Sequence, residues 1–295
     1  MRRSDQQSLP STYAASVRGK PAGLVLVLTV AGCGSPSSST SSFARAVPAL
    51  PEVAGIAAEA VQLRSDEATG GQVQVRLTDT GPAPFTVTSV QLDSPGFTVL
   101  PARTVTARYA PGQVIDLTTP FGAVDCAAGV EPVAARLTVT RPDGATEEVT
   151  VPVHGWTMAQ VHQGLCAEQG ALAVVDVTVQ GLTDAGPTTT GVIVLGRRAG
   201  DEAVQVSRLG GSVVLDPVPD DDLPVTLAPG EQELRLPVTF DAARCDPHAL
   251  AETKKPFVFP LAVTIGDGDE VPVDLPLDEA QRAQLQDLLD RVCVN

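Results

Sequence analysis

The chain is written twice, and that constrains its fold more than any other feature. APGQVIDLTTPFGAVDC (Ala110 to Cys126) matches APGEQELRLPVTFDAARC (Ala228 to Cys245). Each has Ala-Pro-Gly, an alternating strand, an aromatic residue (Phe121, Phe240) and then a cysteine. Upstream, AVQLRSDEATGGQVQVRLTDTG (Ala60 to Gly81) corresponds in pattern to DVTVQGLTDAGPTTTGVIVLGRRAG (Asp176 to Gly200), and Phe85 to Pro101 to Ala203 to Pro219. Downstream, Ala134 to Val153 and Pro260 to Leu277 each read as two strands joined by an Asp-Gly turn. Each copy then ends in a short helical segment that closes on a cysteine: Thr157 to Cys166, and Asp278 to Cys293.

Every copy holds about seven short runs of alternating apolar residues separated by turn residues. The chain is rich in Val and Thr, with 26 Gly and 25 Pro, which favours strands and turns over helices. The expected fold is therefore mainly β: two tandem β-sandwich domains, immunoglobulin-like in the broad sense, each closed by a C-terminal helix and one disulfide. The Cys…Trp…Cys spacing of antibody domains is absent. The boundary is expected after Cys166, near Ala167 to Ala171, giving domains over 52–168 and 169–295 with a short, coupling linker.

At the helices, Thr157 with Gln160 and Asp278 with Gln281 fit capping boxes. Leu285, Leu288, Leu289 and Val292 fall on one face at helical spacing. Cys126, Cys166, Cys245 and Cys293 allow three pairings. Their matched places in the two copies imply Cys126–Cys166 and Cys245–Cys293, with a crosswise pairing as the alternative.

The N-terminal region points to export. Ala22 to Ala31 is an apolar run too short to span a bilayer, which needs roughly 20 residues. Arg18 and Lys20 precede it, as in a secretory signal. It ends Val30-Ala31-Gly32-Cys33, which resembles the lipobox of bacterial lipoproteins, with Val30 where Leu is typical. The resemblance covers residues 17–33 alone. It implies that residues 1–32 are a signal peptide, that the Cys33 thiol is acylated, and that Cys33 becomes the N-terminus of a membrane-held protein facing outward. The polar lead 1–16 fits such a signal poorly, so Val17 is a candidate alternative start. Residues 33–51 begin with a Ser/Thr/Pro-rich tract, Gly34 to Ser42, that cannot bury enough surface to order itself and reads as a tether.

Charge narrows the partners. The formal net charge is −15, and Arg2, Arg3, Arg18 and Lys20 all lie in the signal, so the remainder is more acidic still. Nucleic-acid binding needs the opposite sign. Contact with anionic headgroups would be repulsive, which leaves membrane attachment to the N-terminal lipid. Lys20, Lys254 and Lys255 are the lysines; the other basic residues are arginines, a usage that resembles coding from a GC-rich bacterial genome. Aromatics make up 3% of the chain, too few to favour carbohydrate platforms.

Sites with chemistry are weakly signalled. His154, Trp156 and His162 cluster in sequence but lack acidic or thiolate partners at metal-ligand spacing, so hinge packing is the expected role. Asp220, Asp221 and Asp222, and the stretch Gly266 to Glu270, lack the ligand alternation of a calcium loop and read as solvated turns. Nucleophile elbows, zinc-protease motifs and phosphate loops are missing. The expectation is no enzyme, no cofactor and no metal. What remains is a lipid-anchored envelope protein of interaction or structural type, its protein partner unidentified. Two rivals stand beside it. An extracytoplasmic small-molecule or ion binder would show a concave, polar-lined pocket between the domains. A cell-wall enzyme or its regulator would show buried carboxylates with shifted pKa in a cleft.

Overall fold

Alternation becomes strand wherever Val, Ile and Thr can bury every second side chain. The computed structural model describes residues 49–294; the expected signal peptide, Cys33 and the tether up to residue 48 lie outside them. In the first half the elements are β1 (Ile56–Val61), α1 (Arg64–Thr69), β2 (Gln72–Asp79), β3 (Phe85–Asp93), β4 (Arg103–Tyr109), β5 (Val114–Pro120), β6 (Ala134–Thr140), β7 (Thr146–His154) and α2 (Thr157–Val174). In the second they are β8 (Val175–Asp184), β9 (Thr189–Arg197), β10 (Val204–Leu209), β11 (Leu215–Pro219), β12 (Val225–Leu227), β13 (Glu233–Ala242), α3 (Pro247–Glu252), β14 (Pro260–Ile265), β15 (Val271–Asp274) and α4 (Glu279–Leu289).

The chain is mainly β, in three sheets. The first half forms a seven-stranded sheet ordered β4-β3-β6-β7-β1-β2-β5, in which β1 and β7 run parallel through Ala58–Val153 and Glu59–His154. The second half forms two four-stranded sheets, β12-β10-β14-β15 and β11-β13-β9-β8. The repeat in the sequence is a repeat in pairing. β1 pairs with β2 as β8 with β9, β2 with β5 as β9 with β13, β3 with β6 as β10 with β14, and β6 with β7 as β14 with β15. The copies differ where β11 zips along β13, for the first copy makes only the bridge Phe97–Val124 there.

Each half has its own apolar core. Val73, Val75 and Leu77 of β2 sit with Phe85, Val87 and Leu137 in one cluster. Ile193, Leu195, Leu236, Phe240 and Phe259 anchor the other, which draws on both four-stranded sheets. Burying a side chain of this size contributes about 1.5–3 kcal/mol. Phe85 stacks on Tyr109 at 4.7 Å, and Phe240 meets Phe259 edge-on at 5.4 Å. A bulge in β3 shifts the register between Val87 and Ser89. It moves the buried positions from Phe85 and Val87 to Val90 and Leu92, which strict alternation would leave facing solvent.

The helices depart most from the sequence reading. The first does not stop at Cys166; α2 runs for 18 residues and passes directly into β8. Its Ala, Gln, Leu and Glu residues favour helix, it holds no proline, and Gly164 and Gly170 have open space around them. The expected junction at 167–171 is thus helical. The Thr157–Gln160 capping box is absent. Trp156 is the N-cap, and the Thr157 hydroxyl donates instead to the Ala60 carbonyl at 2.8 Å, tying the helix start to β1. The Asp278–Gln281 box is present: Asp278 accepts from the Gln281 N–H at 2.8 Å, and the Gln281 side-chain oxygen accepts from the Asp278 N–H at 2.9 Å. Leu285, Leu288 and Leu289 are buried as their spacing predicts. Val292 is not; it is 38% exposed, because the chain winds into a π-helical turn over Asp290–Val294 and turns off the α-helical face.

Two disulfides join Cys126 to Cys166 and Cys245 to Cys293, the pairs that the repeat matches. The first fastens α2 to the segment after β5, and the second fastens the end of α4 to the segment after β13.

Candidate functional site

The repeat also identifies what each copy has added. Between β8 and β9 the chain makes a tight turn, with the Ala185 N–H donating to the Thr188 carbonyl. The matching connection between β1 and β2 carries α1. Between Cys126 and β6 there is no helix, whereas the matching stretch after Cys245 carries α3 and a run that leads to β14. These two additions face each other.

A buried carboxylate holds α1 in place. Asp66 is 1% exposed, and both its oxygens are used. One accepts from the Leu63 N–H at 2.9 Å. The other accepts from the side-chain amides of Gln72 at 3.0 Å and Gln74 at 2.6 Å. Gln74 in turn accepts from the Thr118 hydroxyl at 3.1 Å, so the network runs from α1 through β2 to β5.

On the other side Asp246 caps α3, its carboxylate accepting from the Ala249 N–H at 2.9 Å, with Pro247 at the first helical position. That hydrogen bond, aided by Arg244, holds the Asp246 carboxyl below its ordinary range. From here Lys255 reaches across to Glu67 at 3.0 Å.

Between the additions lies a cleft of about 690 Å³. Arg64 and Glu67 line it from α1; Ser212 and Val213 from the β10–β11 loop; Lys254, Lys255, Glu252 and Asp274 from the remainder of the second half. Two carboxyls near it are perturbed. Desolvation raises the Asp274 carboxyl, against the pull of Lys255. Desolvation also raises Glu168 on α2, and the charge of Asp274 adds to it. The cleft can thus hold a charged solute beside an apolar wall of Val213 and Val258.

The residues that sequence reading weighed for metal chemistry do not converge on it. His154 contacts Glu52 at 3.0 Å at the surface, and Trp156 beside it is 83% exposed. His162 faces elsewhere, with a ring nitrogen 3.1 Å from the Asp125 carbonyl and its ring edge-on to Phe97 at 5.6 Å. Asp220 receives a bond from the Thr239 hydroxyl at 3.3 Å, and Glu270 takes bonds from Ser207 and Arg208. Among the described residues no group of three or more potential metal ligands comes together. Arg64, Glu67 and Asp274 escaped the sequence reading. The signal that could have found them was the mismatch between the copies, and the lysine pair standing inside one of those mismatches.

No family model matches the chain, and no curated protein does. Among solved structures, red sea bream transglutaminase is similar at 9% identity and a TM-score of 0.23, over 77% of this chain and 32% of that one. This chain therefore spans about a third of the transglutaminase's length. The YadV chaperone is similar at 11% identity and a TM-score of 0.20, over 76% of this chain and 100% of that one. The Pseudomonas aeruginosa CupB2 chaperone is similar at 12% identity and a TM-score of 0.18, over 72% and 95%. Likenesses at these scores carry no argument about what this chain does.

Proposed function

We propose that this chain is a lipid-anchored lipoprotein of the cell envelope. Its folded part consists of two tandem immunoglobulin-like β-sandwich domains, held outside the membrane as a protein-interaction or structural module. The single observation that carries the reading is the way the halves are coupled. An uninterrupted α2 leaves the first half, is fastened there by Cys126–Cys166, and becomes the first strand of the second. A helical junction fixes the spacing of two β units more firmly than a flexible linker would, which suits a spacer or a two-point docking surface. The paired disulfides agree with export to an oxidising compartment. The equivalent pairings of the two halves support the tandem-domain reading, and the Val30 to Cys33 motif supports the anchor.

The test is crosslinking in intact cells, then membrane fractionation and mass spectrometry, for the wild type and Cys33→Ala. Membrane recovery with a reproducible protein partner, both lost in Cys33→Ala, is the expected result. Wild-type protein recovered in the medium overturns the anchor. Wild-type protein in membranes without any partner overturns the interaction role.

A further inference from the structure

We infer that the cleft between α1 and the segment 246–258 is a binding site for a small amphipathic organic anion, one that joins a carboxylate, sulfonate or phosphate to an apolar body. Arg64 and Lys254 meet the charged group, and Val213 and Val258 meet the apolar part. This inference does not depend on the anchored-interaction reading.

Charge carries it first. The protein is strongly acidic, with a formal net charge of −15, yet both lysines of the described residues stand in this one cleft. Many arginines elsewhere are matched to acids, as Arg76 is to Asp116, Arg136 to Asp93 and Arg198 to Asp176, and Arg103 and Arg197 donate to backbone carbonyls. Arg64 and Lys254 have no ion pair among the described residues, whereas Lys255 has Glu67. Of the acids lining the cleft, Glu67 is occupied by Lys255, and Asp274 lies under the influence of the same lysine. Three cations and three acids thus line the cleft, which is balanced where the protein as a whole is acidic, and Arg64 and Lys254 are left without an ion-pair partner of their own among the described residues. A recess with low-dielectric walls strengthens the pull of such unpaired cations on an anion that enters it.

The cleft is also built rather than incidental. Its walls come from the elements by which each half departs from the repeat, and both are fixed: α1 by the Asp66 network and α3 by its Asp246 cap. Its volume of about 690 Å³ falls within the roughly 300–1,000 Å³ usual for small-molecule sites. Val213 is 48% exposed on its wall, an apolar surface held open beside the cations. A purely hydrophilic anion would leave that surface wet.

The probe is 8-anilino-1-naphthalenesulfonate, titrated by fluorescence at low salt into the folded protein. The neutral analogue N-phenyl-1-naphthylamine serves as the comparison, and Arg208→Gln as the surface control. One saturable site is expected, weakened by added salt and at least tenfold weaker in the double variant Arg64→Gln/Lys254→Gln, with Arg208→Gln unchanged. The double variant removes only exposed groups, and its melting temperature checks its folding. Val213→Asp supplies a second reading and is expected to weaken binding by a similar factor. Equal binding by the double variant and wild type, equal binding of the neutral analogue, or no saturable binding would each overturn the inference; if the double variant does not fold, wild-type binding by Val213→Asp overturns it.

Discussion

Lys255 and Glu67 lie 188 residues apart in the chain and 3.0 Å apart in space. Their ion pair joins the two halves at the cleft that both residues line. Both side chains are partly exposed, so solvent screens the pair, and such pairs contribute about 0–1 kcal/mol. Glu67→Gln should therefore shift the urea midpoint by no more than that amount allows. The same variant frees Lys255 and should tighten binding of the sulfonate probe, which separates electrostatics in the cleft from stability of the fold.

The neighbouring residue should behave very differently. Asp66 is buried and serves three donors, so Asp66→Ala strands the Gln72 and Gln74 amides and the Leu63 N–H. Of these the Gln74 amide is buried, and a stranded buried group costs about 1–3 kcal/mol, whereas the Leu63 N–H and the Gln72 amide lie within reach of water. Loss of about 1–3 kcal/mol is expected in urea unfolding. A loss below 1 kcal/mol would show that α1 is not held by this network.

Glu168 and Asp274 give a pH dependence with a definite sign. Both carboxyls are raised in the folded protein, mainly by desolvation, so the folded state binds their protons more tightly than the unfolded state does. Their favourable contribution is full below the ordinary carboxylate values of 4.5 and 3.8 and is lost as pH rises through the higher folded values. Glu168→Gln removes one of the two charges. Relative to wild type it should gain stability at pH 7 and show little difference at pH 4, measured as melting temperature across that range. A variant less stable than wild type at pH 7 would contradict this account.

The parts legible in the sequence were those set by short-range pattern. The alternation in β2, the Asp143-Gly144 turn between β6 and β7, with Gly144 at φ +85°, and the Asp278–Gln281 cap are local, and each acts within a few residues. The cysteine pairing was legible for another reason: two copies of one pattern force matched positions to do matched work. What was not legible depended on contacts between distant segments. The choice of the Thr157 hydroxyl between its own helix and Ala60 is settled by where β1 lies, 97 residues earlier in the chain. The π-helical turn that exposes Val292 coincides with the Cys245–Cys293 bridge, a constraint helical periodicity does not contain. The cleft belongs to this second kind, since Arg64 and Lys254 share no local pattern and line one cleft only because both halves carry additions.

The two disulfides should differ in reach although they close similar loops, with separations of 40 and 48 residues. In the chain-entropy model each contributes about 4 kcal/mol. Cys245 and Cys293 both belong to the second half, so Cys245→Ala/Cys293→Ala should loosen α4 and the second core and leave the first half intact. Cys126–Cys166 instead holds a helix that packs on β1 of the first half and on β14 and β15 of the second. Cys126→Ala/Cys166→Ala should therefore loosen both halves together. Hydrogen exchange separates the cases: the first variant should lose protection in β8 to β15 alone, and the second should lose it in β1, α2 and β15 at once. Equal protection of β1 and β15 in the wild type and in Cys126→Ala/Cys166→Ala would mean that α2 is held by packing, with the bridge adding nothing to the coupling of the halves.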